Sequence, residues 1–277
     1  MVKGKRPDKT FRPEITYEEW IESNEKINMW LGQYDIVTLL NENNGLVKIE
    51  NFLPDFVAEG ALKAVESIPE EEWEITEANH TYEDNDIQHK FWSTEDAEAV
   101  ADLRRVLWML LPKKFPSFSA ARYCKSNHIA KHDDRAHIPI GMADGEVEIY
   151  SREFAAIYYL TKDWKHQYGG QLMDLATGDA YSPEFNSLIV FRVPRDHMVT
   201  AVKTAMPRYS IFGWWLEQGE LYSLENEIGT EEEPNPVSER RDSGRPTKKA
   251  REAKSADTQA SNPSKRPRRE CTKKQRP

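Results

Sequence analysis

The stretch that decides the fold is residues 208–216, "RYSIFGWWL". β-Branched and aromatic side chains fill it, and no helical spacing of apolar and polar positions runs through it. Five segments of the same kind precede it: "FSAARYC" at 118–124, "EFAAIYYL" at 153–160, "GQLMDLA" at 170–176, "SLIVFRV" at 187–193 and "HMVTAV" at 197–202. Gly, Pro, Asn and Asp punctuate them, as they do turns between strands. Short strands with no long helix between them predict an antiparallel sandwich or barrel over 116–218, not a doubly wound sheet.

Upstream the period is helical. "TYEEWIESNEKINMWLGQYDIVTLLNENN" (16–44) has Trp20, Ile21, Ile27, Trp30 and Leu31 near the 3.6-residue spacing and reads as a helix after a loose lead-in. "GLVKIENFLPDFVAEGALKAVESI" (45–68) reads as a short strand, a turn and an amphipathic helix, with Pro54 and Asp55 at the helix boundary. "STEDAEAVADLRRVLWMLLPKKF" (93–115) reads as the clearest helix, capped by Ser93 or Thr94 and stopped by Pro112. The expected division is 1–44 as lead-in and helix, 45–228 as the main domain with helices over 52–112 ahead of the barrel, and 229–277 as a disordered basic tail.

Charge separates the tail from the rest. From Arg241 onward there are 13 Lys/Arg against 4 Asp/Glu, so a chain of net −9 carries −18 before that point. An acidic fold argues against a general nucleic-acid-binding surface on it. The tail has almost no large apolar residues and cannot offset its ordering entropy by burial. Its clusters "RPTKKAR" and "KRPRR" fit a nuclear localisation signal or a loose nucleic-acid contact. There is no apolar run of membrane-spanning length and no secretory signal, so the expected location is intracellular, with no membrane partner. The two cysteines, Cys124 and Cys271, have no C-x-x-C partner, which excludes a thiolate zinc site.

The densest chemistry is "AKHDDRAHI" at 130–138. His132 and Asp134 are two apart, which on an extended segment puts both side chains on one face. With His197 they make two imidazoles and a carboxylate, a facial set for non-haem Fe(II) that leaves coordination positions open. Asp133 should then face away and hydrogen-bond backbone or a neighbouring base. His137 reads as a loop histidine, because a fourth protein ligand would fill an open position. The adjacent His132–Asp133 pair also matches the dyad of metal phosphohydrolases, but that fold is all-helical and this region is punctuated strand. Eleven residues beyond His197, Arg208 sits in an aromatic strand with Ser210 on the same face. A buried guanidinium beside a hydroxyl suits the distal carboxylate of a dicarboxylate such as 2-oxoglutarate. The competing reading is an edge arginine paired to a protein carboxylate.

In order, "HDD", "IYYLTKDW", "GGQL", the H-x-V-x-x-V at His197 and the R-x-S-I-x-G-W at Arg208 resemble the prolyl-hydroxylase-like branch of the Fe(II)/2-oxoglutarate dioxygenases. The first, fourth and fifth look like the ribosomal-protein prolyl hydroxylases; the second and third look like the hypoxia-sensing ones. The resemblance spans 45–217 and is strongest from 123 onward. It implies a mainly β fold, a double-stranded β-helix (jelly-roll) barrel with supporting N-terminal helices. It implies Fe(II) on His132, Asp134 and His197, with 2-oxoglutarate and O2 as co-substrates and ascorbate as reductant. Arg208, Ser210 and Tyr159 would meet the 2-oxoglutarate C5 carboxylate, and Tyr123 and Leu172 would line its pocket. Trp214 would flank the substrate and Arg152 would face the substrate opening. The implied reaction is hydroxylation of a prolyl residue in a protein substrate, with release of succinate and CO2. The alternatives are an inactive barrel serving as a binding module, or an oxygenase acting on a non-protein substrate. Two features depart from the family: "RAHIPIGMADGEVEIYS" (135–151) makes a longer loop after the HxD motif, and the charged tail stands where the ribosomal-protein hydroxylases carry a second, non-catalytic barrel.

Overall fold

The computed structural model describes residues 15–82 and 85–224, together with Val2–Lys3. The expected disordered tail and its basic clusters lie outside the described residues. A first strand, β1 (Val2–Lys3), precedes three short helices, α1 (Tyr17–Ile21), α2 (Asn24–Leu31) and α3 (Ile36–Glu42). The single helix expected over 16–44 is broken because the sequence caps three starts. Thr16 and Glu19 form a reciprocal capping box, and the Ser23 and Asp35 side chains accept from the Lys26 and Thr38 amides. Strand β2 (Leu46–Glu50) and helix α4 (Asp55–Ser67) follow.

The block expected to be helical over 52–112 is interrupted by a hairpin, β3 (Glu74–Tyr82) and β4 (Asn85–Thr94). These polar residues carry too few apolar side chains to show a strand period. Ser93 and Thr94, expected as helix caps, instead end β4, paired to Ala121 and Ala120. Helix α5 (Ala101–Leu110) starts later, after a single 3-10 turn at Glu98–Val100 and without a side-chain cap.

The remaining strands are β5 (Phe115–Tyr123), β6 (His128–His132), β7 (His137–Gly141), β8 (Val147–Tyr159), β9 (Leu172–Asp174), β10 (Ala180–Tyr181), β11 (Ser187–Arg192), β12 (His197–Val199) and β13 (Arg208–Gln218). The expected loop at 135–151 is mostly the hairpin β7–β8, turned at Gly145, whose φ of +87° suits glycine. All strands join one curled sheet in the order β1-β2-β11-β8-β13-β5-β4-β6-β12-β9-β10, with β3 on β4 and β7 on β8. One wall of the curl is β2-β11-β8-β13-β5 and the other is β6-β12-β9-β10. Strand β4 joins them, because it pairs with β5 at Trp92–Thr94 and with β6 at His89–Lys90. The architecture is mainly β, a double-stranded β-helix backed by helices.

The period-2 alternation of the central strands separates two cores. Phe118 and Ala120 of β5, Phe154, Ala156 and Tyr158 of β8, and Ile211 and Trp215 of β13 face the helices, where they meet Val57 and Ala61 of α4 and Leu103 and Val106 of α5. Ala121, Tyr123, Ala155, Tyr159, Ile189 and Phe191 face into the curl. Strand β11 is apolar without alternation because both of its faces are covered. Each fully buried aliphatic or aromatic side chain of this kind stabilises the fold by roughly 1.5–3 kcal/mol. The strands β5, β8 and β13 therefore have one face fixed by the helices and the other free to build a cavity.

Candidate active site

A cavity of about 430 Å³ opens into the curl between the two walls. His132 ends β6 and His197 begins β12, and the two lie directly across the β6–β12 ladder, their rings 4.1 Å apart. Each imidazole has Nδ1 against the carbonyl two residues earlier, Ala130 O at 2.9 Å and Arg195 O at 2.7 Å. That contact places the proton on Nδ1 and leaves the Nε2 lone pair for the cavity. The His132 Nε2 is 3.1 Å from Asp134 Oδ1, and the His197 Nε2 is 3.7 Å from Oδ2. Ligand atoms from all three residues lie within 4.8 Å of one another.

Asp134 reaches this position by a different route from the one its spacing suggests. It lies past the end of β6 with φ at +65°, a left-handed turn that Asp tolerates better than most residues. The carboxylate is fixed from behind by Trp214, whose Nε1–H donates to Oδ2 at 3.0 Å. The Arg152 guanidinium stacks on Trp214, 3.5 Å from the ring centroid. Trp214 and Arg152 both line the cavity, so residues expected to face the substrate also hold Asp134. Burial pushes the Asp134 carboxyl up, but the imidazoles of His197 and His132 outweigh it and hold the group far below the usual carboxylate range. Burial pushes His197 down; at His132 burial acts the same way, and the bond to Asp134 reverses it.

The neighbouring charges are spent elsewhere. Asp133 accepts from Arg135, at the backbone N (3.0 Å) and at Nε (2.7 Å). His137 Nε2 contacts the Tyr222 carbonyl at 3.1 Å, and its ring stacks on the Tyr222 ring. Behind His197, Asp174 of β9 takes Arg195 in a fork, Nε at 2.9 Å and Nη2 at 2.6 Å. Arg195 thereby fixes the carbonyl that orients His197. Nothing in the spacing pointed to Arg195 or Asp174.

Arg208 begins β13 and is fully buried, at 1% exposure. Its Nη1 donates to the Gly170 carbonyl at 2.6 Å, and its guanidinium lies 3.9 Å from the Tyr123 ring and 5.2 Å from the Tyr159 ring. Among the described residues no carboxylate pairs with it. The Arg208 Nε, the Ser210 Oγ and the Tyr159 Oη are all buried without a hydrogen-bond partner. Burial raises both tyrosines, so each phenol stays neutral and able to donate. A buried charge with three polar atoms left unsatisfied costs several kcal/mol unless an anion completes the set. The cluster fits a carboxylate, and the His–Asp–His set across the cavity fits a divalent metal with open positions. Leu172, expected on the pocket wall, is fully buried in the inner core cluster that also holds Tyr123 and Tyr159, where β9 packs it between β10 and β12.

Residues 118–216 match the family model of the 2OG-Fe(II) oxygenase superfamily. A prolyl hydroxylase from Trichoplax adhaerens, solved with a hypoxia inducible factor oxygen degradation domain peptide fragment, superposes with a TM-score of 0.51 at 20% identity, over 73% of this chain and 93% of its own. A Pseudomonas putida prolyl-4-hydroxylase gives a TM-score of 0.45 at 23% identity, over 66% of this chain and 98% of its own. No curated protein matches the sequence. The match to the 2OG-Fe(II) oxygenase superfamily thus covers β5 to β13, and the described fold is the one shared with the Trichoplax adhaerens prolyl hydroxylase. The matched family is named for Fe(II) and 2-oxoglutarate, and the His132, Asp134 and His197 set and the buried Arg208 cluster fit a metal and a carboxylate of that kind. Among the described residues no helix is long and apolar enough to cross a membrane.

Proposed function

We propose that the protein is an Fe(II)- and 2-oxoglutarate-dependent dioxygenase that hydroxylates a prolyl residue of a protein, releasing succinate and CO2. The observation that carries the reading is the buried Arg208 guanidinium without an acid partner, beside the unsatisfied Ser210 and Tyr159 hydroxyls. In this reading His132, Asp134 and His197 hold Fe(II). Arg208, Ser210 and Tyr159 hold the C5 carboxylate of 2-oxoglutarate, and the Tyr123 ring flanks the guanidinium. The bound metal and co-substrate supply oxidative decarboxylation coupled to insertion of one oxygen atom into a C–H bond. The protein's part is positional. Ala130 O and Arg195 O fix the two imidazoles, Trp214 fixes the carboxylate, and the apolar walls of Phe191, Ile157 and Phe212 exclude water. Arg152 and Trp214 stand on the substrate side. Prolyl specificity is supported by the motif resemblance and by a fold shared with a prolyl hydroxylase solved with a peptide. Ascorbate as reductant and nuclear targeting by the basic tail belong to the same proposal.

Succinate formation from 2-oxoglutarate, with Fe(II) and with or without candidate peptides, tests it. Mass spectrometry of cellular proteins with and without the enzyme should find the added oxygen on proline. Arg208→Ala should weaken 2-oxoglutarate binding by a hundredfold or more and leave iron in place. Loss of iron with intact 2-oxoglutarate affinity would overturn the assignment.

A further inference from the structure

Strand β5 is paired along its whole length with β13, from Tyr123 opposite Arg208 to Phe115 opposite Leu216. On its other side it is paired with β4 only at Ala120–Arg122. Among the described residues no strand covers that side from Phe115 to Ser119. A free sheet edge offers a row of main-chain donors and acceptors, and folds ordinarily blunt or cover such edges. Here the edge is the floor of a second groove of about 430 Å³. Glu95 and Asp96 line one bank, and α5 supplies the other through Arg104 and Trp108. Trp108 is 39% exposed on the outer face of α5, which it shares with Ala101, Arg104 and Arg105, opposite the buried Leu103, Val106, Leu107 and Leu110; Arg104 has no partner among the described residues. This groove is continuous with the metal-site cavity, because Glu95, Ser117 and Ser119 line both.

We infer that the free edge of β5 at Pro116–Ser119 receives an extended segment of the polypeptide substrate as an added strand, delivering the target residue to the cavity mouth. This rests on the protein-substrate reading above and says how that substrate is held. Main-chain hydrogen bonds to a sheet edge give affinity that tolerates varied sequences, and alternate side chains give selectivity. The faces of β5 fix the alternation. Ser117 and Ser119 face the cavity, whereas Phe118 between them faces α5 and the helix-side core. An added strand follows the same pleat. A residue whose side chain enters the cavity therefore has neighbours at odd offsets that turn toward Trp108. The indole offers an apolar surface there, so an apolar side chain at an odd offset from the target is favoured.

The test uses full-length protein and 12-residue synthetic peptides with a fixed central proline and all other positions randomised. Peptides carrying an added oxygen are read by mass spectrometry, and the best is resynthesised with one backbone N-methyl group at each position in turn. The added strand predicts an alternating pattern: about a tenfold loss of kcat/KM at every second position, and little change between. Trp108→Ala should raise KM and erase the apolar preference at odd offsets, while Met29→Ala, on an exposed site of α2, changes neither. Loss without alternation, or a Trp108→Ala enzyme with unchanged KM and selectivity, overturns the inference. A solution dimer that Trp108→Glu dissociates, with no alternation, would assign the edge to a second copy of the chain and also overturns it. If no library peptide is hydroxylated while 2-oxoglutarate is still turned over, the inference fails and the dioxygenase reading stands. Absence of both activities would sink the two together.

Discussion

Tyr159 carries a hydroxyl that nothing in the described fold satisfies. A buried unsatisfied group is a stability cost kept for a ligand's sake, so its removal should separate stability from binding. Tyr159→Phe is expected to raise the unfolding free energy of the ligand-free protein by about 1 kcal/mol. The same change should weaken 2-oxoglutarate by up to about tenfold; thermal melts with and without 2-oxoglutarate read both effects. A Tyr159→Phe protein that loses stability while keeping its affinity would show that the hydroxyl has another partner. Trp214→Phe tests the support of Asp134. It keeps a ring for Arg152 to stack on and removes the Nε1–H bond to Oδ2, so Fe(II) affinity should fall about ten- to a hundredfold in a chelator competition. At this scale the sequence was informative about residue types and poor about geometry. His132, Asp134, His197, Arg208 and Ser210 could be singled out because each is costly to bury without a purpose. The reason His132 and Asp134 converge could not, since it depends on a left-handed turn at Asp134 and not on strand alternation. Arg195 and Asp174 were invisible because an ordinary ion pair has no spacing signature.

Strands β5 and β13 carry the co-substrate cluster between them, Tyr123 opposite Arg208 and Ala121 opposite Ser210. Their close approach depends on Gly213, where an added Cβ would fall 2.0 Å from the Ser117 carbonyl oxygen and 2.7 Å from the Phe118 Cα. These are backbone atoms and cannot swing aside. Gly213→Ala is therefore expected to destabilise the fold by about 3 kcal/mol in denaturant titrations and to weaken 2-oxoglutarate through the displaced register. A variant with wild-type stability would mean that the two strands slide without cost. The strands with dense β-branched and aromatic content were legible, because burial on one or both faces writes itself into composition. The hairpin β3–β4 was not, since its residues are polar and its pairing is set by β5 and β6. The helix expected from Ser93 was misplaced for a related reason. Ser93 and Thr94 are good caps in isolation, but pairing with Ala121 and Ala120 holds them in a strand.

At the scale of the molecule, the barrel class followed from many short strands, but the order of those strands did not. His132 and His197 are 65 positions apart in the chain and direct neighbours in the sheet, an adjacency that only the closed topology supplies. The same closure places the metal set on one wall and the Arg208 cluster on the other, so ligand binding should tie the walls together. At a concentration a hundredfold above its Kd, 2-oxoglutarate should stabilise the Fe(II)-loaded protein by about 2.7 kcal/mol, and Arg208→Ala should cut the gain at that concentration to about 0.4 kcal/mol or less. The most direct measurement of the central claim is anaerobic titration of Fe(II)-loaded protein with 2-oxoglutarate, followed by metal-to-ligand charge-transfer absorption. A band that saturates at one equivalent, needs far more 2-oxoglutarate in Arg208→Ala, and is lost in His132→Ala is the predicted result. A band that survives removal of both His132 and His197, or no band with all three ligands intact, would contradict it.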